Sequence, residues 1–174
     1  GGHTGLGDAT SLHRYDTRLG VWAELEDSRR ARSDHSLLAW GERLYAVMGA
    51  DGATDLAIES TSLRGGSWRE VATGEEPAEA AAGVHGLPPM LYEAGAAIGS
   101  NGPAGTIVIF GGLSHVLGSD THIEQSDALW AFQLGGRSDE WATGTGAVPT
   151  ARVDSAMVAM DAALVMQGGG TYFQ

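Results

Sequence analysis

The sequence predicts an all-β fold built from repeated, four-stranded antiparallel units. Three observations support this prediction: helical periodicity is almost absent, short apolar or β-branched runs end in pairs of small residues, and these runs recur along the chain. A repeat of roughly 40 to 50 residues is typical of a β-propeller, whose blades are four-stranded sheets. We therefore expect a propeller segment.

The apolar runs place the second strand of each unit. They occupy residues 43–50, 106–112 and 163–169, and the end of a further copy stands at the start of the chain. Glycine suits backbone with positive φ and close approach of a neighbouring chain, so we expect these pairs to have structural roles where sheets meet. The pairs are Gly1-Gly2, Gly49-Ala50, Gly111-Gly112 and Gly168-Gly169.

A tryptophan follows each polar loop and begins the last strand of a unit. Its large apolar ring can pack on an adjacent sheet while the indole N–H finds an acceptor. The spacing is 27 residues from Trp22 to Gly49 and from Trp141 to Gly168, but 43 from Trp68 to Gly111. The second unit therefore carries an insertion, which we place at about residues 74–90, where prolines flank an Ala-rich piece.

The remaining strands lie between each tryptophan and the next glycine pair. Runs at 32–40 and 152–160 precede the second strands, and the tight connections Gly41-Glu42 and Asp161-Ala162 separate the two inner strands. The chain thus contains roughly three repeat units and begins and ends just after a second strand. Closed propellers typically use about 4 to 8 blades, so we expect a segment that is incomplete at both ends, with open edges.

The order of these residues resembles the kelch repeat. Each unit shows a glycine pair, a loop, an aromatic residue next to Asp as in Tyr15-Asp16, a Trp, and a strand such as 44–49, Leu-Tyr-x-Val-x-Gly. The pattern departs from the repeat at Ala50, which is not a second glycine, and in the second unit, which lacks an Arg before the inner strand. The resemblance covers residues 1–174 as a single segment. It implies a kelch-type β-propeller fragment whose loops on one face form a recognition surface.

Composition excludes several classes of function. There are 22 acidic and 10 basic residues, a net charge of −12, which argues against nucleic-acid binding because that requires Lys and Arg against phosphates. The absence of Cys excludes disulfides, thiolate metal sites and Cys nucleophiles. It also excludes the copper-radical oxidase chemistry of the kelch and galactose-oxidase superfamily, which the resemblance ties to a Tyr–Cys crosslink. No apolar stretch approaches the roughly 20 residues of a membrane helix, so we expect a soluble chain, with a lean towards an intracellular location.

Binding residues are expected on the loops of one face, because a meander alternates its connections between two faces. Guanidinium groups there could recognise carboxylates of a protein partner. For the two Arg at equivalent repeat positions, 32 and 152, the alternative is a structural hydrogen bond to a neighbouring turn. The predicted partner-binding face comprises Arg29, Arg30, Arg32, His115, Asp120, His122 and Arg152.

A weaker hypothesis places a metal on the loop 113–126. Two imidazoles and two carboxylates could ligate a divalent ion, although a solvated polar loop is the alternative. The candidate ligands are His115, Asp120, His122 and Glu124. His35, beside Ser33 and Asp34, lacks the geometry that a catalytic triad requires and is interpreted as a packing residue.

These observations favour a non-catalytic protein-interaction or scaffolding module that needs no cofactor. Its partner would be another protein, further blades that complete the propeller, or a second copy of the chain. A metal-assisted or sugar-acting enzyme, or a carbohydrate-binding module, is the alternative within the same superfamily.

Overall fold

The computed structural model confirms the all-β prediction. It describes residues 2–5, 7–49, 56–74, 86–100, 104–115, 123–144, 147, 149–160 and 163–171. Within these ranges all regular structure is β-strand, and no helix is available that could cross a membrane.

Sixteen strands follow one another along the described chain. They are β1 (His3–Thr4), β2 (Gly7–Asp8), β3 (Leu12–Asp16), β4 (Val21–Leu25), β5 (Ser36–Trp40), β6 (Arg43–Val47), β7 (Leu56–Ser62), β8 (Arg69–Thr73), β9 (Gly95–Gly99), β10 (Thr106–Phe110), β11 (Leu113–His115), β12 (Ile123–Gln125), β13 (Leu129–Gln133), β14 (Trp141–Thr143), β15 (Val153–Met160) and β16 (Ala163–Gly170).

Two complete four-stranded antiparallel sheets form the middle of the chain, as expected. Sheet 2 has the order β5-β6-β7-β8, and sheet 3 has the order β9-β10-β13-β14. Two half-sheets flank them: sheet 1 is the hairpin β3-β4, and sheet 4 is the hairpin β15-β16. The small hairpins β1-β2 and β11-β12 lie in connections between strands.

Each of the two half-sheets corresponds to a different half of the four-stranded repeat unit. Tyr15 pairs with Trp22 across β3 and β4, and Phe132 pairs with Trp141 across β13 and β14. The ring centroids are 5.1 Å apart in both pairs, with interplanar angles of 47° and 51°. Sheet 1 therefore corresponds to the outer two strands of a complete sheet. Sheet 4 ends in a glycine pair, as β10 does, and corresponds to the inner two strands.

Tryptophan side chains link neighbouring sheets. The indole N–H of Trp68 donates to the Glu26 carbonyl at 3.0 Å, and that of Trp141 donates to the Thr73 carbonyl at 2.8 Å. In each case the acceptor lies at the end of the outermost strand of the preceding sheet. Trp22 occupies the same repeat position and is 70% exposed.

The core lies between sheets 2 and 3. Many of its fully buried apolar side chains belong to second and third strands, and burying each large one contributes on the order of 1.5–3 kcal/mol. They include Val47, Ile58, Ile107, Ile109 and Phe132.

Sheets 3 and 4 approach closely through glycine on the innermost strand β9. A Cβ added at Gly95 would lie 2.6 Å from the Ser155 hydroxyl oxygen, and one at Gly99 would lie 2.9 Å from the Ala159 Cβ. Both glycines lie on one side of β9, so β15 can pack directly against that strand.

One of the predicted glycine pairs lies one residue earlier in the structure than in the prediction. Gly49 is equivalent to Gly112 and Gly169, because each packs against the start of the innermost strand of its own sheet. The position before each of them has a positive φ: 58° at Met48, 72° at Gly111 and 75° at Gly168. The pair that the sequence suggested at 49–50 is therefore Met48-Gly49.

Much of the predicted insertion, about residues 74–90, lies outside the described residues, as does the connection Asp161-Ala162. The described ends of the insertion come together, since a Cβ on Gly74 would lie 3.0 Å from the Pro88 carbonyl oxygen. Gly41 and Glu42 form the turn between β5 and β6.

Substituting Gly112 by alanine should lower the free energy of unfolding by several kcal/mol. The added Cβ would lie 2.8 Å from the Ala94 Cβ and 2.9 Å from the Tyr92 carbonyl oxygen, at a φ of 90°. Gly41→Ala is the matched control: its φ is 58° and its Cβ meets open space, so it should lose only about 1 kcal/mol. Urea titration measures both changes, and equal losses would contradict the role of close approach.

Candidate partner-binding face

Two sets of connections lie on the same side of the sheets. One set joins second strands to third strands, and the other joins the fourth strand to the first strand of the next sheet. Backbone bonds link the two sets: Arg32 N–H donates to the Ala9 carbonyl at 3.3 Å, and Tyr92 and Leu113 bond to each other in both directions. We call this side the loop face. Its described residues are 2–5, 7–11, 26–35, 48–49, 74, 86–94, 111–115, 123–128, 144, 147 and 149–152.

A repeated backbone hydrogen bond joins three of the four pairs to the following sheet. The N–H of the second position donates to a carbonyl that lies just before the innermost strand of the next sheet. The three bonds run from Gly2 to Arg32 at 2.8 Å, from Gly49 to Leu91 at 2.8 Å, and from Gly112 to Arg152 at 3.0 Å.

A second repeated bond runs through three acidic residues. Glu93 N–H donates to the Asp34 carbonyl at 3.1 Å, and Asp154 N–H donates to the Glu93 carbonyl at 2.9 Å. All three residues have left-handed backbone, with φ between 53° and 57°. Such a φ is uncommon for residues other than glycine. We call the glycine bonds and the acidic-residue bonds together the inter-sheet stitches.

These bonds place one acidic residue at the start of the innermost strand in each of sheets 2, 3 and 4. Partial burial raises the pKa of Glu93, and the negative charges of Asp154 and Asp34 raise it further. None of these three residues was among the predicted site residues. A signal was present in the Arg-x-Asp spacing, which occurs at 32 and 34 and again at 152 and 154.

Arg32 lies inside the protein, with 1% of its surface exposed, so it cannot contact a partner as predicted. One terminal nitrogen, Nη1, donates to the Met48 carbonyl at 2.6 Å, and Nη2 lies 3.5 Å from Oε1 of Glu59, which is fully buried on β7. Burial raises the pKa of Glu59, and the charge of Arg32 acts in the opposite direction. The alternative interpretation, a structural hydrogen bond to the main chain, therefore applies to Arg32.

Arg152 makes the same main-chain contact from a partly exposed position. Its Nη1 donates to the Gly168 carbonyl at 3.0 Å, and Gly168 is the counterpart of Met48. Arg29 and Arg30 are exposed on the loop face. These two side chains are the predicted partner contacts with the most accessible guanidinium groups among the described residues.

The predicted metal ligands fall largely outside the part of the chain that the structure describes. Asp120 and His122 lie outside it, and His115 is described only through its backbone on β11. Glu124 is exposed on β12. Among the described residues no group of three or more His, Asp or Glu could hold a metal ion. The metal hypothesis stays a prediction.

His35 is half-buried at the entry to β5. Burial lowers its pKa from 6.5 to about 4, and the nearby charge of Arg32 acts in the same direction. Its counterparts in the next two sheets are Ala94 and Ser155, beside the stitch residues Glu93 and Asp154. A neutral imidazole therefore occupies a packing position at neutral pH.

Comparison with known proteins finds a partial similarity. No protein-family model matches the chain. The chain is 35% identical over 96 residues to Kelch-like protein 34 of Homo sapiens. The alignment covers 54% of this chain but 14% of that protein, so the chain spans a small part of the relative's length. The complete four-stranded antiparallel sheets fit a kelch-type repeat.

Replacing Arg32 by methionine should destabilise the protein by about 3–5 kcal/mol, because Glu59 would be left as an unpaired buried acid. Arg152→Met removes the equivalent carbonyl bond from a more exposed site and should cost about 1 kcal/mol. Adding Glu59→Leu to Arg32→Met should recover part of the loss. Chemical denaturation measures all three variants, and similar losses for both arginines would refute the importance of the buried pair.

The free energy of unfolding should fall as the pH is lowered from 6.5 towards 4, in part because of His35. Its pKa is about 4 in the folded protein and 6.5 as the ordinary value, so the unfolded chain binds the extra proton in this window. The His35→Gln variant should show a shallower fall, whereas His13→Gln, which changes an exposed residue of β3, should not. Denaturant titrations between pH 4 and 7 give the comparison. Parallel curves for the wild type and His35→Gln would contradict it.

Proposed function

We propose that the chain is a kelch-type propeller segment that serves as a non-catalytic protein-binding or scaffolding module within a larger assembly. The observation that supports this most directly is the loop face, where connections from successive sheets are tied together by the inter-sheet stitches. Loops held on a rigid scaffold are where binding residues concentrate. The similarity to Kelch-like protein 34 over 96 residues supports the repeat type.

The partner contacts in this proposal are the exposed Arg29 and Arg30. A guanidinium group can bind a carboxylate through two parallel hydrogen bonds, which gives orientation as well as affinity. Both residues lie in the connection between β4 and β5, and the neighbouring Arg32 is fixed in the interior by Met48 and Glu59. This connection therefore presents two exposed cations close to a residue that is held in the interior.

The double variant Arg29→Glu and Arg30→Glu should weaken partner binding at least tenfold and leave the fold intact. The matched control is Arg18→Glu with Arg64→Glu, which makes the same charge change at exposed positions on the opposite side of the sheets. The partner is captured from the source of the protein and identified by mass spectrometry. Its affinity for each purified variant is then measured by titration calorimetry. Equal weakening by both double variants would contradict a specific role for the loop face.

A further inference from the structure

The buried Arg32 and Glu59 of sheet 2 have apolar counterparts in sheet 3. Glu59 on β7 and Trp130 on β13 occupy equivalent places, since each pairs with the residue three positions before the second member of its sheet's glycine pair. The carbonyls of Arg32 and Leu91 accept the same repeated bond from the preceding pair. Leu91 and Trp130 therefore stand where sheet 2 has a charged pair.

The fold of a sheet does not require charges at these two places. Arg32 is 1% exposed and Glu59 is fully buried, so both groups lose their hydration, and apolar replacement of such a pair is often neutral or stabilising. A buried guanidinium differs from a leucine in being directional, because it must meet its acceptors at defined distances and angles. The charged pair can thus select one conformation of the connection that carries it.

That connection is held on both sides of the exposed arginines. On one side, the Ser28 N–H donates to a carbonyl of the connection before β3 at 2.9 Å, and the Ser28 hydroxyl donates to the Arg30 carbonyl at 2.6 Å. On the other side, the Arg32 N–H donates to the same connection before β3, and its guanidinium donates to the end of the second strand. The residues between Ser28 and Arg32 form a short bridge between two anchors.

Glu59 acts on this bridge from the interior. Burial raises the pKa of its carboxyl group, whereas the charge of Arg32, a hydrogen bond from the Arg29 N–H and the charges of Arg29 and Arg30 lower it. Its Oε1 lies 3.5 Å from Nη2 of Arg32. One buried carboxyl group therefore acts on both ends of the segment 29–32. The corresponding connection of sheet 3, between β8 and β9, contains no Arg or Lys.

We propose that Glu59 is a positioning residue for the arginines of the loop face. Together with Arg32 it holds the segment 29–32 in one conformation, in which Arg29 and Arg30 are presented to a partner that bears carboxylates. This rests on the proposed function and adds how that site is organised. A segment that is already ordered loses less conformational entropy when its partner binds, so the affinity is higher.

The variant Arg32→Met with Glu59→Leu makes the pair apolar, as in sheet 3, and separates stability from positioning. It leaves no unpaired buried charge, so urea titration should show stability recovered relative to Arg32→Met alone. Hydrogen exchange at the Arg29 N–H should nevertheless become about tenfold faster than in the wild type. Ile58→Val is the matched control: it trims the neighbouring buried residue of β7, keeps the pair, and should leave this exchange unchanged.

Binding is measured by titration calorimetry with hexaglutamate peptide as a carboxylate probe and with the captured partner. The apolar variant should bind both about three- to tenfold more weakly than the wild type, whereas Ile58→Val should bind as the wild type does. A merely structural pair would give the opposite result, with stability and affinity recovered together.

Unchanged Arg29 exchange in the apolar variant, or recovered stability with wild-type affinity, would overturn the positioning role and leave the proposed function standing. The wild type alone gives a further test, since exchange of its Arg29 N–H at the rate of an unstructured peptide would show that the segment is not held. Wild-type affinity of the Arg29→Glu, Arg30→Glu variant for both ligands would instead overturn the proposed partner contacts and, with them, the role of Glu59.

Discussion

The structure depends on backbone hydrogen bonds that pass from one sheet to the next at the loop face. They require left-handed backbone at the glycine pairs and at Asp34, Glu93 and Asp154. A left-handed residue other than glycine costs on the order of 1–2 kcal/mol, so these positions persist only because the surrounding contacts fix them. In return, amide groups at the ends of the inner strands find partners, which buried backbone requires.

Other repeated contacts reinforce the same junctions. Trp68 and Trp141 reach back to the preceding sheet, so neighbouring sheets are joined near the rim as well as at the inner strands. Arg32 and Arg152 tie the start of an innermost strand to the end of the second strand of the same sheet. These contacts therefore hold the described ends of the connections between successive sheets.

The sequence predicted the repeat and the strand order because these features recur at fixed spacing. The period, the tryptophans and the glycine pairs were sufficient to expect four-stranded sheets with incomplete units at either end. Met48 was not recognised as the first member of a pair because it is not a glycine. The sequence Gly49-Ala50 was predicted as the pair instead, one residue further along the chain. Positive φ in an L-residue leaves no simple mark in a sequence.

The candidate site was predicted less completely, since its residues depend on contacts between distant segments. Arg32 matches Arg152 in sequence, but only the structure brings Glu59 beside it and buries both. The acidic stitch residues were missed because a lone Asp or Glu near the start of a strand usually indicates a turn. Arg29 and Arg30 were recognisable as exposed, because they sit in a polar connection between two strands.

Native-state amide hydrogen exchange tests the central role of the stitches most directly. The N–H groups of Gly49, Glu93, Gly112 and Asp154 should exchange together, with free energies of opening close to that of global unfolding. Exchange at these four amides near the rate of an unstructured peptide, while the core strands stay protected, would show that the sheets are held together without them.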